Sequence, residues 1–238
     1  MNTAEKYEVL LSTISHEIRN PVTLINSYLQ LIADAHPEVG SYEYWDTVGE
    51  EMQHLKILLT DLSRFNNSIR IHSVSLNMNT WLHAYTLHAN AFLRSLFPAG
   101  NAMIPFTTEV SDNLPVIFAD PDKLQQVLDN LIRNAAEAIF DGSITAFAPS
   151  LSGQITLSAH ADKSMLFLAV TDNGCGISPE QLEHIFEPFV SYKTNGSGLG
   201  LAVVQRIIKA HHGTISVHSE PSSGTRFLIC LPVISDDK

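Results

Sequence analysis

Apolar residues recur at steps of three and four through the first seventy positions, in two runs parted by a proline and a glycine. The first run is Leu11, Ile14, Ile18, Val22, Ile25, Leu29 and Ile32; the second is Val48, Met52, Leu55, Leu59, Leu62 and Ile69. Steps of this size wind each run into one stripe of a helix. Between them, His36-Pro37-Glu38-Val39-Gly40-Ser41 ends one helix and starts the next. The pattern predicts an antiparallel helical hairpin. Two heptad-like stripes bury poorly against each other alone, and a second hairpin would complete a four-helix bundle, so a homodimer is expected. The alternative is that both stripes pack onto the rest of the chain.

From about Ser73 the period changes. Short β-like runs (Met103–Val110, Pro115–Phe118, Gln154–His160, Leu166–Thr171, Gly213–His218, Thr225–Leu231) alternate with helix-like segments near Asn79–Phe97, Asp120–Phe140 and Ala202–His211. This predicts an α/β two-layer sandwich, with helices on one face of a mixed sheet. The expected division is residues 1–70 for the hairpin and 71–238 for the α/β domain. Ser143–Ser152, rich in small residues, reads as a mobile loop.

A net charge of −11 argues against a broad surface for nucleic acid, so any nucleotide must sit in a local pocket. The longest apolar runs fall far short of the roughly 20 residues that cross a bilayer, and no charged-then-apolar leader opens the sequence. No membrane span and a soluble, cytoplasmic chain are expected. Cys175 and Cys230 are the only two cysteines and form no C-x-x-C pair, so reduced thiols are expected. None of the eleven histidines falls in a strong metal pattern.

A helical projection at about 100° per residue places His16 roughly 165° from the centre of the first stripe, facing solvent. Glu17 is its neighbour and Asn20 lies one turn further on the same outer face, flanked by Arg19 and Thr23. Pro21 removes its own amide donor and crowds the carbonyl of Glu17, which loosens the helix beside His16. A lone helical histidine is ordinarily a surface residue with no task. An imidazole with a carboxylate beside it is nonetheless a competent nucleophile, because the carboxylate orients or accepts the proton on the second nitrogen.

Further along, Asn130 and Asn134 stand one turn apart on a strongly amphipathic helix with Arg133 between them. Two carboxamides so placed offer oxygens to a hydrated magnesium ion, and an arginine meets a phosphate directly. Asp172-Asn173-Gly174-Cys175-Gly176 follows an apolar strand. A buried aspartate accepts from the exocyclic amine of adenine, where guanine presents a carbonyl, and the two glycines admit a close approach of the base. Phe186-Glu187-Pro188-Phe189 leads to Lys193 and then to Gly196-Ser197-Gly198-Leu199-Gly200. Glycines that open a helix expose amide donors where polyphosphate is favoured. The spacing is not a dinucleotide-binding fingerprint, since no strand directly precedes it.

Each motif alone is weak. Together, Ser15-His16-Glu17-Ile18-Arg19-Asn20-Pro21-Val22-Thr23 resembles the phosphoacceptor box of the sensor histidine kinases. The later motifs, in this order, resemble the asparagine box, first glycine box, phenylalanine box and second glycine box of their ATP-binding domain, which is akin to gyrase-type ATPases. The resemblance covers nearly the whole chain and extends to Phe118–Leu124 and Gly224–Phe227. It implies that His16 takes the γ-phosphate of ATP with help from Glu17, and that Asn20 positions a water for dephosphorylating the partner. It places ATP on Asn130, Arg133, Asn134, Asp172, Gly174, Gly176, Lys193, Gly196, Gly198, Leu199 and Gly200, with Mg2+ on Asn134. It also implies a response regulator receiver domain as partner and an upstream sensor domain or signalling protein outside this chain. Lys193 sits in a short lid resembling the nitrogen-regulation and sporulation branch, with Ser191 and Tyr192 where a threonine pair is commonest. Two rivals remain: a docking and phosphatase module with an ATP domain but no autokinase activity, and a gyrase-type conformational ATPase. The second leaves the His16 box unexplained.

Overall fold

The computed structural model describes residues 3–96, 104–140, 153–193 and 196–233, with side chains from residue 17 onward. The loop at 143–152 lies outside the described residues. By its contacts the chain forms two compact units, one of Met1–Ser68 with Pro188–Gly200, the other of Ile69–Glu187 with Leu201–Lys238.

In the first unit, α1 (Thr3–Ala35) and α2 (Trp45–Asn66) flank a 3-10 turn, Pro37–Ser41. Pro37 enters that turn at its first positions, where its missing amide costs nothing, and Val39 is buried there. The helix α1 runs through Pro21 as one helix. The two stripes are only half covered. Val22, Met52 and Leu59 form a small buried cluster with Leu29 packed against it. Ile18, Ile25, Ile32, Val48 and Leu55 remain more than 40% exposed. Each stripe therefore splits into two rows of seven-residue spacing, and the hairpin buries one row of each.

In the second unit, β1 (Val74–Asn77) pairs antiparallel with β3 (Val116–Ala119) in a small separate sheet. A strand of four residues just after the hairpin has too little period to be read, and it was not expected from the sequence. The main sheet contains β2 (Phe106–Val110), β4 (Ile155–Ala161), β5 (Met165–Asp172), β6 (Thr214–Glu220) and β7 (Gly224–Pro232). Their order is β2-β4-β5-β7-β6, with β2 and β4 parallel and the other neighbours antiparallel. The sheet is mixed, as the alternation of strands and helices implied.

Period-two burial identifies its inner face: Ile155 and Leu157 on β4, Leu166 and Leu168 on β5, Ile229 and Leu231 on β7 are essentially inaccessible. The helix α4 (Pro121–Phe140) lies against β4, β5 and β7 and beside α3 (Met78–Leu96). Leu124, Leu128, Leu131 and Ile132 of α4 are at most 1% exposed. A one-turn helix, α5 (Pro179–Leu182), begins in a capping box of Ser178 and Gln181, and α6 (Gly200–Ala210) buries Ala202, Val203, Val204, Ile207 and Ile208.

Candidate functional site

The expected phosphoacceptor box lies within α1. The His16 side chain is outside the described ones, while Glu17 and Asn20, beside it and one turn on, are exposed. Arg19 does not stay on that outer face. Its guanidinium reaches across to α2, where Nη2 donates to Ser63 Oγ at 3.0 Å and to the Leu59 carbonyl at 3.4 Å. Thr23 Oγ1 donates to the Arg19 carbonyl at 2.8 Å. Arg19 thus fixes α1 to α2 one turn from the position of His16.

The same unit contains the loop with Lys193 and the second glycine run. Phe189 N donates to the Gly198 carbonyl at 3.0 Å and closes the neck of this loop, with Phe189 at φ 67° and Gly198 at φ 66°. Phe189 and Lys193 are exposed, whereas Leu199 is 2% exposed and acts as the apolar foot of the run. Ser197 Oγ donates to Asp61 Oδ2 of α2 at 2.6 Å.

In the second unit, α4 presents Asn130 and Asn134 on one partly exposed face. Asp172 ends β5, is 6% exposed, and accepts from Gly174 N at 2.8 Å through Oδ1. The turn after it is anchored to α4, because Cys175 N donates to the carbonyl of Ala138, one turn beyond Asn134. Its glycines answer to protein backbone. A Cβ at Gly174 would sit 2.8 Å from the Ala138 backbone, and at Gly176, with φ 72°, it would collide with the Glu220 carbonyl. The sequence reading had them admit the base; in the structure their open sides are taken up by α4 and by the end of β6. The first glycine turn and the asparagine helix are therefore bonded and packed directly against each other.

Arg133 is exposed, and its guanidinium lies over the Phe92 ring, 5.3 Å from the centroid. Phe92 belongs to an aromatic ladder along α3, in which Trp81 stacks on Tyr85 at 5.5 Å and His88 on Phe92 at 5.9 Å. Asp129, the residue before Asn130, accepts from Tyr85 Oη at 2.9 Å and lies 3.1 Å from His88 Nε2. Burial, and then the Asp129 carboxylate, push the Tyr85 hydroxyl far above its usual range. Sequence reasoning passed over this ladder, although its spacing, 81, 85, 88 and 92, was a legible helical stripe.

For magnesium, the donor set consists of neutral carboxamide oxygens on a partly exposed helix face, and among the described residues no group of three or more His, Cys, Asp or Glu could hold a metal by itself. That suits an ion arriving with phosphate oxygens and its own waters.

Residues 8–68 match the family described as His Kinase A (phospho-acceptor) domain, and residues 119–235 match Histidine kinase-, DNA gyrase B-, and HSP90-like ATPase. The chain is 32% identical over 225 residues to sensor histidine kinase ZraS of Escherichia coli (strain K12), covering 94% of this chain and 45% of the relative. It is 34% identical over 230 residues to sensory histidine kinase/phosphatase NtrB of Rhizobium meliloti (strain 1021), covering 94% and 58% respectively. Among solved structures, full-length ShkA in complex with AMPPNP is similar with a TM-score of 0.73 and 26% identity, over 95% of this chain and 46% of that one. The chain spans about half the length of the curated relatives it matches.

Proposed function

The chain belongs to the sensor histidine kinases of two-component systems, and on that premise we propose that it is an ATP-dependent autokinase whose phosphoacceptor is His16. One observation carries the reading: Asp172 is buried at the end of β5, on a turn bonded to the helix that presents Asn130 and Asn134. Such a carboxylate accepts from the adenine amine, and the two carboxamides face the phosphate end.

A His16 ring nitrogen attacks the terminal phosphorus in line. The bond to the bridging oxygen breaks and ADP leaves with the electron pair. Glu17, exposed beside the histidine, accepts the proton from the second ring nitrogen. Asn134 would hold magnesium, which when bound would supply neutralisation of the phosphate charge. Lys193 and the Gly196–Gly200 run bind the phosphates. The phosphohistidine then passes its phosphoryl group to an aspartate of a response regulator receiver domain, and exposed Asn20 positions a water for the reverse hydrolysis. The uncovered Ile18, Ile25 and Ile32 of α1 and Val48 and Leu55 of α2 support a homodimer through these helices. A cytoplasmic setting, with an upstream sensor, fits this chemistry.

Incubation with ATP labelled at the terminal phosphate and Mg2+ tests the reading. The protein is expected to take up a base-stable, acid-labile label that His16→Gln abolishes and Asn134→Ala removes without unfolding. Equal labelling of His16→Gln would overturn it, and free phosphate with no labelled protein would favour the conformational ATPase.

A further inference from the structure

His211 lies just past the C-terminal end of α6 and is 6% exposed. Both of its ring nitrogens are engaged. Nδ1 lies 2.8 Å from the Ile207 carbonyl, which can only accept, so Nδ1 bears the proton. Nε2 is then a lone-pair acceptor, and the backbone amide of Asp120 donates to it at 3.0 Å. The two partners together assign the donor role to Nδ1 and the acceptor role to Nε2.

Helix termination does not need this side chain. Gly213 N donates to the Ile208 carbonyl at 2.9 Å and His212 N to the Lys209 carbonyl at 3.0 Å, with His212 at φ 58°, which completes the two bonds of a Schellman end. What the imidazole adds is a link to Asp120. That residue is the N-cap of α4: its Oδ1 accepts from Asp122 N and Lys123 N at 3.1 Å, and Pro121 opens the helix. Its Oδ2 accepts from His72 N at 2.7 Å, which ties in the strand-entry segment before β1. The Asp120 carboxylate is thus committed to backbone amides, and its own amide is left to the imidazole.

We propose that His211 is a positioning residue of the nucleotide site, registering α6, the helix opened by the second glycine run, against α4, the helix of Asn130 and Asn134. The inference rests on the nucleotide reading above. Two helices that bind different parts of one polyphosphate must keep their relative register, and this buried bridge joins the far end of one to the near end of the other. Val204, Ile207 and Ile208 are fully buried and hold α6 by apolar contacts, which carry no preferred direction; the hydrogen bond to the Asp120 amide adds a directional one.

The test separates the two bonds. In His211→Gln the side-chain oxygen reaches the Nε2 position and keeps the Asp120 amide bonded. In His211→Asn the amide nitrogen reaches the Nδ1 position and keeps only the Ile207 bond. The Kd of Mg–AMPPNP is measured for each full chain, with thermal unfolding followed in its absence. Gln is expected to bind within about threefold of wild type and Asn about tenfold or more weakly. Asn binding as wild type does, or Gln weakening as much as Asn, would overturn the proposal in favour of a plain helix cap. Wild type gives a second reading that needs no variant. Mg–AMPPNP must slow amide exchange at Asp120 together with α4 and α6, and an Asp120 amide unmoved while the helices slow also overturns it. Wild type that binds AMPPNP but takes no label leaves this proposal standing and removes the autokinase; wild type that binds no nucleotide removes both.

Discussion

The two units of the chain solve the burial problem differently. The α/β unit closes its core on itself: Leu128, Leu131 and Ile132 of α4 and Ile155, Leu157 and Leu166 of the sheet are all at 0% exposure. The hairpin does not. Its buried cluster is three residues with one more packed against it, while Ile18, Ile25 and Ile32 of α1 and Val48 and Leu55 of α2 stay open. A sheet with helices on one face is a complete solution within one chain, whereas a pair of helices offers each stripe one neighbour when it needs two. The first unit leaves an apolar row of its own stripes uncovered, and the core of the second does not.

The comparison breaks most visibly at Ile25, which is 49% exposed in the single chain. If a second hairpin covers the open row, Ile25→Asp places a charge in that seam twice per dimer. With about 1.5–3 kcal/mol for each apolar side chain returned to water, a loss of at least about 3 kcal/mol is expected. Sedimentation equilibrium should then show monomer at concentrations where wild type is dimeric, and an unchanged mass would mean that the open row has another use. The α/β unit should unfold at the same denaturant concentration in both.

Leu131→Ala sharpens the other side. Its side chain is fully buried against the sheet, so a cavity costing about 2–5 kcal/mol is expected, read as a lower urea midpoint independent of protein concentration. A shift that grows on dilution would mean that the α/β unit too depends on association.

The smallest effect is a pH dependence confined to the second unit. Burial works to raise the Asp120 carboxyl, but the amides of His72, Lys123 and Asp122 outweigh it and hold it below its usual value. A depressed carboxyl contributes stability that is fully present above the unfolded value of about 3.9 and is lost as pH falls through the folded value. Wild type should therefore lose stability more steeply than Asp120→Asn below about pH 4; at pH 7 the variant should be the less stable, since asparagine keeps one acceptor oxygen for the helix cap but sets an amide nitrogen against the His72 amide. Parallel acid profiles would remove the carboxylate from the account.

Much of this was legible in advance because it depends on local period. The stripes of the hairpin, the inward residues of β4, β5 and β7, and the order of the nucleotide motifs all follow from side chains recurring at 3.6 or 2 positions, and the family resemblance rests on contiguous words. Strand β1 was not legible, because four residues carry too little period and its partner lies about forty positions away. Arg19 looked like part of an exposed face and instead crosses to Ser63. Gly174 and Gly176 were read for a ligand, yet a Cβ at either would strike Ala138 or Glu220.

The sequence by itself determined the long helices and the strands of the main sheet, which faces of them are apolar, and that a histidine box precedes a set of nucleotide motifs. Only the tertiary structure decided that each hairpin stripe is buried in one row and open in the other, and that the first glycine turn is bonded to the asparagine helix. It alone gave His211 a partner, at Asp120, ninety-one positions away along the chain. The reason is physical: periodicity is written in neighbours along the chain, but a hydrogen bond between distant residues is set by where the backbone has gone.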